Sequence, residues 1–358
     1  MPEQITVEQW NRTLLERQHL LDRVGDDAIE VIDRCVGLQA QDPQAPFFAL
    51  ASRVDGFAPA ELDALLSERE VVRMVLQRGT LFAMDALDAR WIRAAVQPAI
   101  EASTLRTHRA GLGEVEPGAV AETARGLFVA AGDSGVSVAA LRLALARAWP
   151  TSSIEALAAV VRAWLPLVQL PPRGLWRQSG GPTLALLDDW IGAGEPAVDG
   201  EEARKDLIRM YLRGYGPASG AAIAAWSGLT GLGPLLEAME ADWELAALTG
   251  PAGQRLYDLE GLSIADPSAP APVRLLAPYD GFLVANADRE RVADAAVYRA
   301  TVTRNGRSPG FVLVDGRLVG TWRLTDGGVE LAELVDLAPR QRAAVESEVA
   351  ALTAFVDG

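Results

Sequence analysis

Two glutamines separated by a single residue, Gln39 and Gln41 in the stretch Gly37 to Pro46 (GLQAQDPQAP), form the polar pair whose type and spacing most invite a chemical reading. In an extended segment, side chains two apart project to the same side, so both amides would converge on one ligand. Pro43 biases Asp42 away from the α region and favours that extended reading locally. On a helix the amides would point apart, and spacing alone ranks a solvated helix end first.

Other chemistries have few residues to work with. Lys205 is the single lysine, which leaves almost no candidate for Schiff-base catalysis. His19 and His108 are far apart in sequence, belong to no ligand-spaced cluster and read as exposed residues of ordinary helices, so neither a metal centre nor a catalytic triad can be assembled. One cysteine, Cys35, excludes an internal disulfide and falls on the apolar face of a predicted helix, where it reads as core. Gly111 and Gly113 read as loop punctuation rather than as a phosphate-binding loop. The acidic pairs Asp188-Asp189 and Glu201-Glu202 fit helix starts.

The elements that must position the glutamines follow from periodicity. Helices are predicted over Val7 to Leu21, capped by Thr6, over a stretch after Asp27 that Gly37 stops, and from Pro59 to Leu66. Val71 to Gln77 and Thr80 to Met84 then form a hairpin around Arg78-Gly79. Three helices followed by a hairpin is the winged-helix order. It recurs with helices over Ala119 to Ala131, Val138 to Trp149 and Ser153 to Trp164 and strands at Leu167 to Leu170, Leu175 to Gln178 and Thr183 to Leu187. A third copy has helices from Glu201 to Arg213, Ser219 to Trp226 and Pro234 to Glu240, with a hairpin of Trp243 to Leu248 and Gln254 to Leu259. Pro267 to Pro272 reads as a linker. Beyond it, Asp315-Gly316 is a two-residue hairpin signal between Phe311 to Val314 and Arg317 to Trp322. Val329 to Leu334 adds a strand, and a helix runs from Pro339 to Phe355. The expected division is 1–110, 111–200 and 201–266 for three winged-helix units, with an α/β extension over 267–358. The fold class is therefore α+β, mainly helical.

A chain of 358 residues, 49% of them hydrophobic, can bury more than one core. It has no apolar run long enough to span a bilayer and no signal-like start, which points to the cytoplasm. The net charge of −15 argues at face value against nucleic acid. The arginines are regional, however: Arg142, Arg147, Arg162, Arg173 and Arg177 lie in a stretch with Glu155 as its single acid, and Arg299, Arg304, Arg307, Arg317 and Arg323 share a later stretch with Asp315. A positive concave face on an acidic protein is compatible with that distribution.

Five blocks in register then carry a resemblance: GLQAQDPQAP, RGTLF at Arg78 to Phe82, YGPAS with AAWSGL between Tyr215 and Leu229, LLAPYDGFLVANADR at Leu275 to Arg289, and VLVDGRLVGTWR at Val312 to Arg323. Together they resemble the winged-helix family that contains the bacterial DNA glycosylases of the AlkZ and YcaQ types, over nearly the whole chain. The resemblance implies three tandem winged-helix units in a C-shaped arrangement and hydrolysis of the N-glycosidic bond of alkylated purines, including bulky N7-alkylguanines and interstrand crosslinks. Gln39-Ala40-Gln41 matches the glutamine pair of the AlkZ type, where YcaQ-type members carry aspartate at the second polar position. Phe82 departs from the histidine that many relatives have there. The implied roles are Gln39 and Gln41 as water-positioning catalytic residues with Asp42 in second place. Arg304, Arg307, Arg317, Arg323, Arg173 and Arg177 are DNA-backbone candidates, and Asp280, Asp288 and Arg289 form a structural ion network. The expected partner is double-stranded DNA carrying alkylated bases, bound by a monomer of the cytoplasm and nucleoid with no metal, cofactor or membrane. Two alternatives stay open: a non-catalytic winged-helix DNA-binding protein or regulator, and a sequestration protein for an alkylating small molecule.

Overall fold

A computed structural model describes residues 3–284, 286–303 and 306–358. Helix accounts for 50% and strand for 17%, an α+β fold with the helical bias expected. The chain divides into two compact units. The first comprises residues 1–58, 208–226 and 230–358, and the second comprises residues 59–207 and 227–229.

The first unit joins both ends of the sequence, and the helix Val7–Arg17 is the element that ties them. It begins with a full capping box, Thr6 Oγ1 accepting from the Gln9 amide while the Gln9 side chain accepts from the Thr6 amide. Its side chains then reach segments far along the chain. Trp10 Nε1 donates to the Pro217 carbonyl at 2.7 Å, Asn11 Nδ2 to the carbonyls of Arg291 (2.8 Å) and Gly316 (2.9 Å), and Arg17 forms a two-pronged pair with Asp258 at 2.7 and 2.8 Å. Arg12 Nε donates to Ala269 O at 2.8 Å, so the predicted linker is fastened to the helix. The helix stops at Arg17, short of the Leu21 expected, because His19 turns left-handed at φ 54° and sends buried Leu20 inward. Both histidines are half-buried rather than exposed, and His19 lies beyond the helix end.

Strand Glu3–Gln4 pairs in parallel with Leu245–Thr249, which pairs antiparallel with Arg255–Leu259. A second, four-stranded antiparallel sheet runs Arg274–Leu276, Gly310–Val314, Arg317–Thr325, Gly328–Glu333 and carries the last helix, Pro339–Asp357. The Asp315-Gly316 turn forms as predicted, with both residues at positive φ (50° and 71°). The ion network differs from expectation. Asp280 pairs with Arg53, Asp288 accepts from the Ser219 amide and hydroxyl, and the Arg289 guanidinium sits 4.4 Å from the centre of the Tyr298 ring. Of these three residues, Asp288 joins the tail to the third predicted repeat, and Arg291 adds bonds to the Tyr215 and Pro217 carbonyls at 2.9 and 3.1 Å.

In the second unit, the five strands Leu81–Asp85, Val71–Val75, Leu167–Gln169, Thr183–Leu186 and Val136–Ser137 form one antiparallel sheet in that order. The hairpins of the first two predicted repeats thus merge into a single sheet. Helices Pro117–Ala131, Val138–Ala148 and Ile154–Trp164 enclose a core of Val120, Phe128, Leu141, Leu145, Leu157 and Val161. Ser137 and Ser153 cap the latter two through their hydroxyls, as the sequence indicates. A helix of 27 residues, Ala86–Leu112, lies where no element is predicted; Asp85 caps it through bonds from the Leu87 and Asp88 amides. Gly111 belongs to its last turn rather than to a loop, since a Cβ there would meet Ala156 and Ser153 side-chain atoms at 3.0 Å. The strand predicted over Leu175 to Gln178 is a loop, with Arg177 at φ 56° and the Trp176 amide donating to Asp63 Oδ1 at 2.8 Å instead of to a sheet neighbour.

Candidate functional site

The chain enters the glutamine stretch through a sharp reversal. Helix Ala28–Arg34 ends at Cys35, after which Val36 (φ 53°) and Gly37 (φ 81°) are both left-handed. Glycine takes that conformation freely, whereas a buried β-branched valine is strained there by about 1–3 kcal/mol. Strand Leu38–Gln39 follows, so Gln39 is on extended backbone and is no solvated helix end. Its side chain is buried, at 9% exposure, while Gln41 and Asp42 are exposed. Asp42 Oδ1 accepts from the Gln44 amide at 2.9 Å, and its carbonyl accepts from Ala45. The aspartate therefore shapes the turn into helix Ala45–Ala51.

Gln39 lines a cavity of about 10 Å3, just the size that admits one water. Gln18, Cys35, Arg53, Tyr215, Asp280 and Gly281 share its walls. Arg53, 1% exposed, makes two parallel bonds of 2.9 Å to the Asp280 carboxylate. Its Nη1 also donates to Ala49 O (3.1 Å) and Ser52 Oγ (3.0 Å), and its Nη2 reaches Gln18 Oε1 at 3.4 Å. Gln18 Nε2 donates to Gly214 O at 2.8 Å, and the Tyr215 hydroxyl donates to Cys35 O at 3.0 Å. Two glycines make this closeness possible: a Cβ at Gly214 would sit 2.3 Å from Arg34 O, and one at Gly281 would sit 2.6 Å from the Tyr215 hydroxyl oxygen.

Burial governs the electrostatics. It pushes the Cys35 thiol up to about 11 and the Tyr215 phenol well above its ordinary value, so both stay neutral. Burial alone would lower the Arg53 guanidinium, but the Asp280 charge outweighs it and the net direction is upward. The site therefore couples the Arg53–Asp280 ion pair to neutral amide, thiol and phenol groups. The chemistry these groups offer is hydrogen bonding and positioning. Among the described residues no group of three or more His, Cys, Asp or Glu side chains is arranged to hold a metal. A larger cavity of about 200 Å3 in the same unit is bordered by Phe48, Phe57, Phe355 and the Arg23–Glu348 ion pair; neither glutamine touches it.

The arginines are scattered by comparison. Arg317 pairs with Asp294 (2.7 Å), and Arg323 holds Glu330 through Nε and Nη2 at 2.9 and 2.6 Å. Arg307 is exposed, and Arg304 lies outside the described residues. In the second unit, Arg173 donates to Gly180 O at 2.8 Å and Arg177 is exposed, 5.5 Å from the centre of the Trp176 ring. Sequence reasoning missed Arg53, Gln18 and Tyr215 as companions of Gln39. The available signal was an arginine set inside the apolar run Pro46 to Phe57, which implies a buried partner.

The sequence model of the family described as "DNA glycosylase AlkZ-like" matches residues 32–355. An interstrand DNA cross-link repair glycosylase of Streptomyces sahachiroi is 29% identical over 167 residues, 45% of this chain and 44% of that protein. The matched stretch thus spans less than half the length of that relative. Among solved structures, the Streptomyces sahachiroi DNA glycosylase AlkZ has a TM-score of 0.79 at 21% identity, covering 99% of this chain and 97% of that one. That likeness shows a shared fold.

Proposed function

The chain belongs to the AlkZ-like DNA glycosylase family, and from that premise we propose that it hydrolyses the N-glycosidic bond of alkylated purines in duplex DNA, with Gln39 and Gln41 positioning the attacking water. The observation that carries this reading is the placement of the pair: Gln39 is buried against a fixed polar network, and Gln41 is exposed two residues on. One amide is thereby held rigid while the other is open to a substrate.

The chemistry suits neutral side chains. N7-alkylation makes the guanine ring cationic, so the electrons of the breaking C1′–N9 bond neutralise the departing base and no acid is needed. The sugar passes through an oxocarbenium-like state, whose positive charge amide carbonyl oxygens stabilise. The same carbonyls accept hydrogen bonds from the water and aim its oxygen at C1′. Its proton passes to solvent; Asp42, engaged with Gln44 and exposed, is the second candidate acceptor. The N7-alkylguanine class fits best, bulky adducts and crosslinks included, because the leaving group supplies its own driving force.

DNA would be held through arginine contacts to phosphates. Arg307 and Arg177 are exposed and Arg173 half-buried, whereas Arg317 and Arg323 would first have to leave Asp294 and Glu330. The function is tested with duplex oligonucleotides carrying a single N7-methylguanine. The wild type releases the free base and leaves an alkali-labile abasic site. Tight binding to the duplex with no base release over hours would instead establish a non-catalytic DNA-binding protein.

A further inference from the structure

In the larger cavity of the first unit, away from both glutamines, we propose a binding site for a free nucleobase: a flat nitrogen heterocycle, uncharged or cationic, that carries no phosphate. The cavity measures about 200 Å3. A cavity of roughly 150 Å3 holds a benzene ring, so this one fits a flat ring system somewhat larger than benzene. Mostly apolar walls with a few polar groups are the usual make-up of a small-molecule site, and both kinds are present here.

Phe48, Phe57 and Phe355 form the aromatic wall. Phe48 is held edge-on against Trp322, with ring centres 5.3 Å apart and planes at 86°, and Trp322 Nε1 is itself anchored on Leu276 O at 2.7 Å. The Phe355 ring centre lies 6.3 Å from that of Phe48 and 6.0 Å from that of Phe57. Rings fixed in this way offer faces and edges to a flat guest at little cost in side-chain entropy. Glu348, Ala351, Leu352 and Phe355 follow the i, i+3, i+4, i+7 spacing, so one face of the helix Pro339–Asp357 supplies aromatic, small and charged lining together.

The polar wall decides which rings are accepted. Arg23 Nε donates to Ala51 O at 3.1 Å, and its Nη2 donates to Glu348 Oε1. Among the described residues, Arg23 Nη1 and Glu348 Oε2 have no hydrogen-bond partner, which leaves one donor and one acceptor open to a guest. A hydrocarbon satisfies neither, whereas a nucleobase carries N–H donors beside nitrogen or oxygen acceptors. Asp55 is the third charged residue of the wall and is exposed, so two carboxylates are set against one guanidinium. That balance repels a phosphate and so separates a free base from a nucleotide or a DNA strand. Together with the three phenyl rings it favours a cationic heterocycle over an anionic one. The N7-alkylguanine released by the proposed hydrolysis belongs to the accepted class, but binding itself requires no catalysis.

The test is equilibrium dialysis of N7-methylguanine against the full chain. Saturable binding is expected, and its absence up to millimolar base would overturn the proposal. Ala351→Phe, which puts a ring into the cavity from an exposed helix position, is expected to weaken binding at least about tenfold, and Glu348→Gln, which still accepts from Arg23 without the charge, about fivefold. Thermal melting establishes that each variant folds; should Ala351→Phe fail to, Glu348→Gln carries the comparison. Gln39→Ala/Gln41→Ala is expected to bind the base as the wild type does. Binding lost there and kept in the two cavity variants would place the base at the glutamines, overturning this site while leaving the glycosylase reading intact. Toluene and guanosine 5′-monophosphate are each expected to bind at least about tenfold more weakly than N7-methylguanine. Toluene bound as tightly would make the cavity a merely apolar gap, and the nucleotide bound as tightly would mean that the carboxylates do not select; either result overturns the proposal.

Discussion

Gln39 and Gln41 are separated by a single residue yet differ in environment, the first buried and the second exposed. The pair was legible because two amides beside Pro43 are unusual, but its asymmetry was not. Gln39 shares its cavity with the Arg53–Asp280 pair, whose members are 227 positions apart, and no local pattern encodes a contact of that span. A further residue-level consequence concerns His19. Burial first, then Arg34 and Arg53, hold its imidazole below the ordinary value of 6.5, against a smaller upward pull from Asp26. The folded state thus carries a neutral imidazole where the unfolded chain takes up a proton. Stability is complete above pH 6.5 and falls as the pH drops through the window beneath it, with no further loss once the folded-state value is passed. Replacing His19 with Asn, which tolerates the left-handed φ of 54°, should flatten the melting temperature between pH 7 and pH 5.5. A pH dependence identical to wild type would refute this origin for the acid sensitivity.

At the scale of elements, helices with a continuous apolar stripe were readable, as in Ile154–Trp164, where Leu157, Val160 and Val161 face the core and Ser153 marks the start. The long helix Ala86–Leu112 was not. Its stripe of Trp91, Ile92, Val96 and Ile100 is confined to one half, Pro98 lies inside it, and Gly111, which reads as loop punctuation, serves close packing against Ser153 and Ala156. The strand expected after Leu175 failed because side chain Asp63, more than a hundred residues earlier, captures the Trp176 amide. The helix Val7–Arg17 has the clearest energetic signature. Changing Arg17 to Met leaves Asp258 buried without its cation, and a loss of about 3–5 kcal/mol is expected in urea unfolding. Gly316→Ala should also destabilise, by more than ~1 kcal/mol, since the residue is at φ 71° and a Cβ would sit 2.4 Å from Asn11 Oδ1. Loss of less than 1 kcal/mol in the Arg17 variant would show that the helix is not the tie between the chain ends.

For the molecule as a whole, a net charge of −15 must be reconciled with the polyanionic substrate proposed for it. Regional arginines achieve this only if they reach phosphates, and each such contact contributes about 0.9 to the slope of log affinity against log salt. Arg307→Ala in one unit and Arg177→Ala in the other should each reduce that slope by roughly one contact and weaken binding alike on damaged and undamaged duplex. Arg323→Ala should do less, because its guanidinium is shared with Glu330. Equal effects of all three would mean that the Glu330 pair opens freely on DNA. The central claim is tested most directly by the single-turnover rate of N7-methylguanine release from duplex DNA by Gln39→Ala/Gln41→Ala, measured with DNA affinity. The account predicts a rate lower by about 10²–10³ with affinity preserved, as for the loss of preorganised groups that act on the transition state; release at the wild-type rate would contradict it.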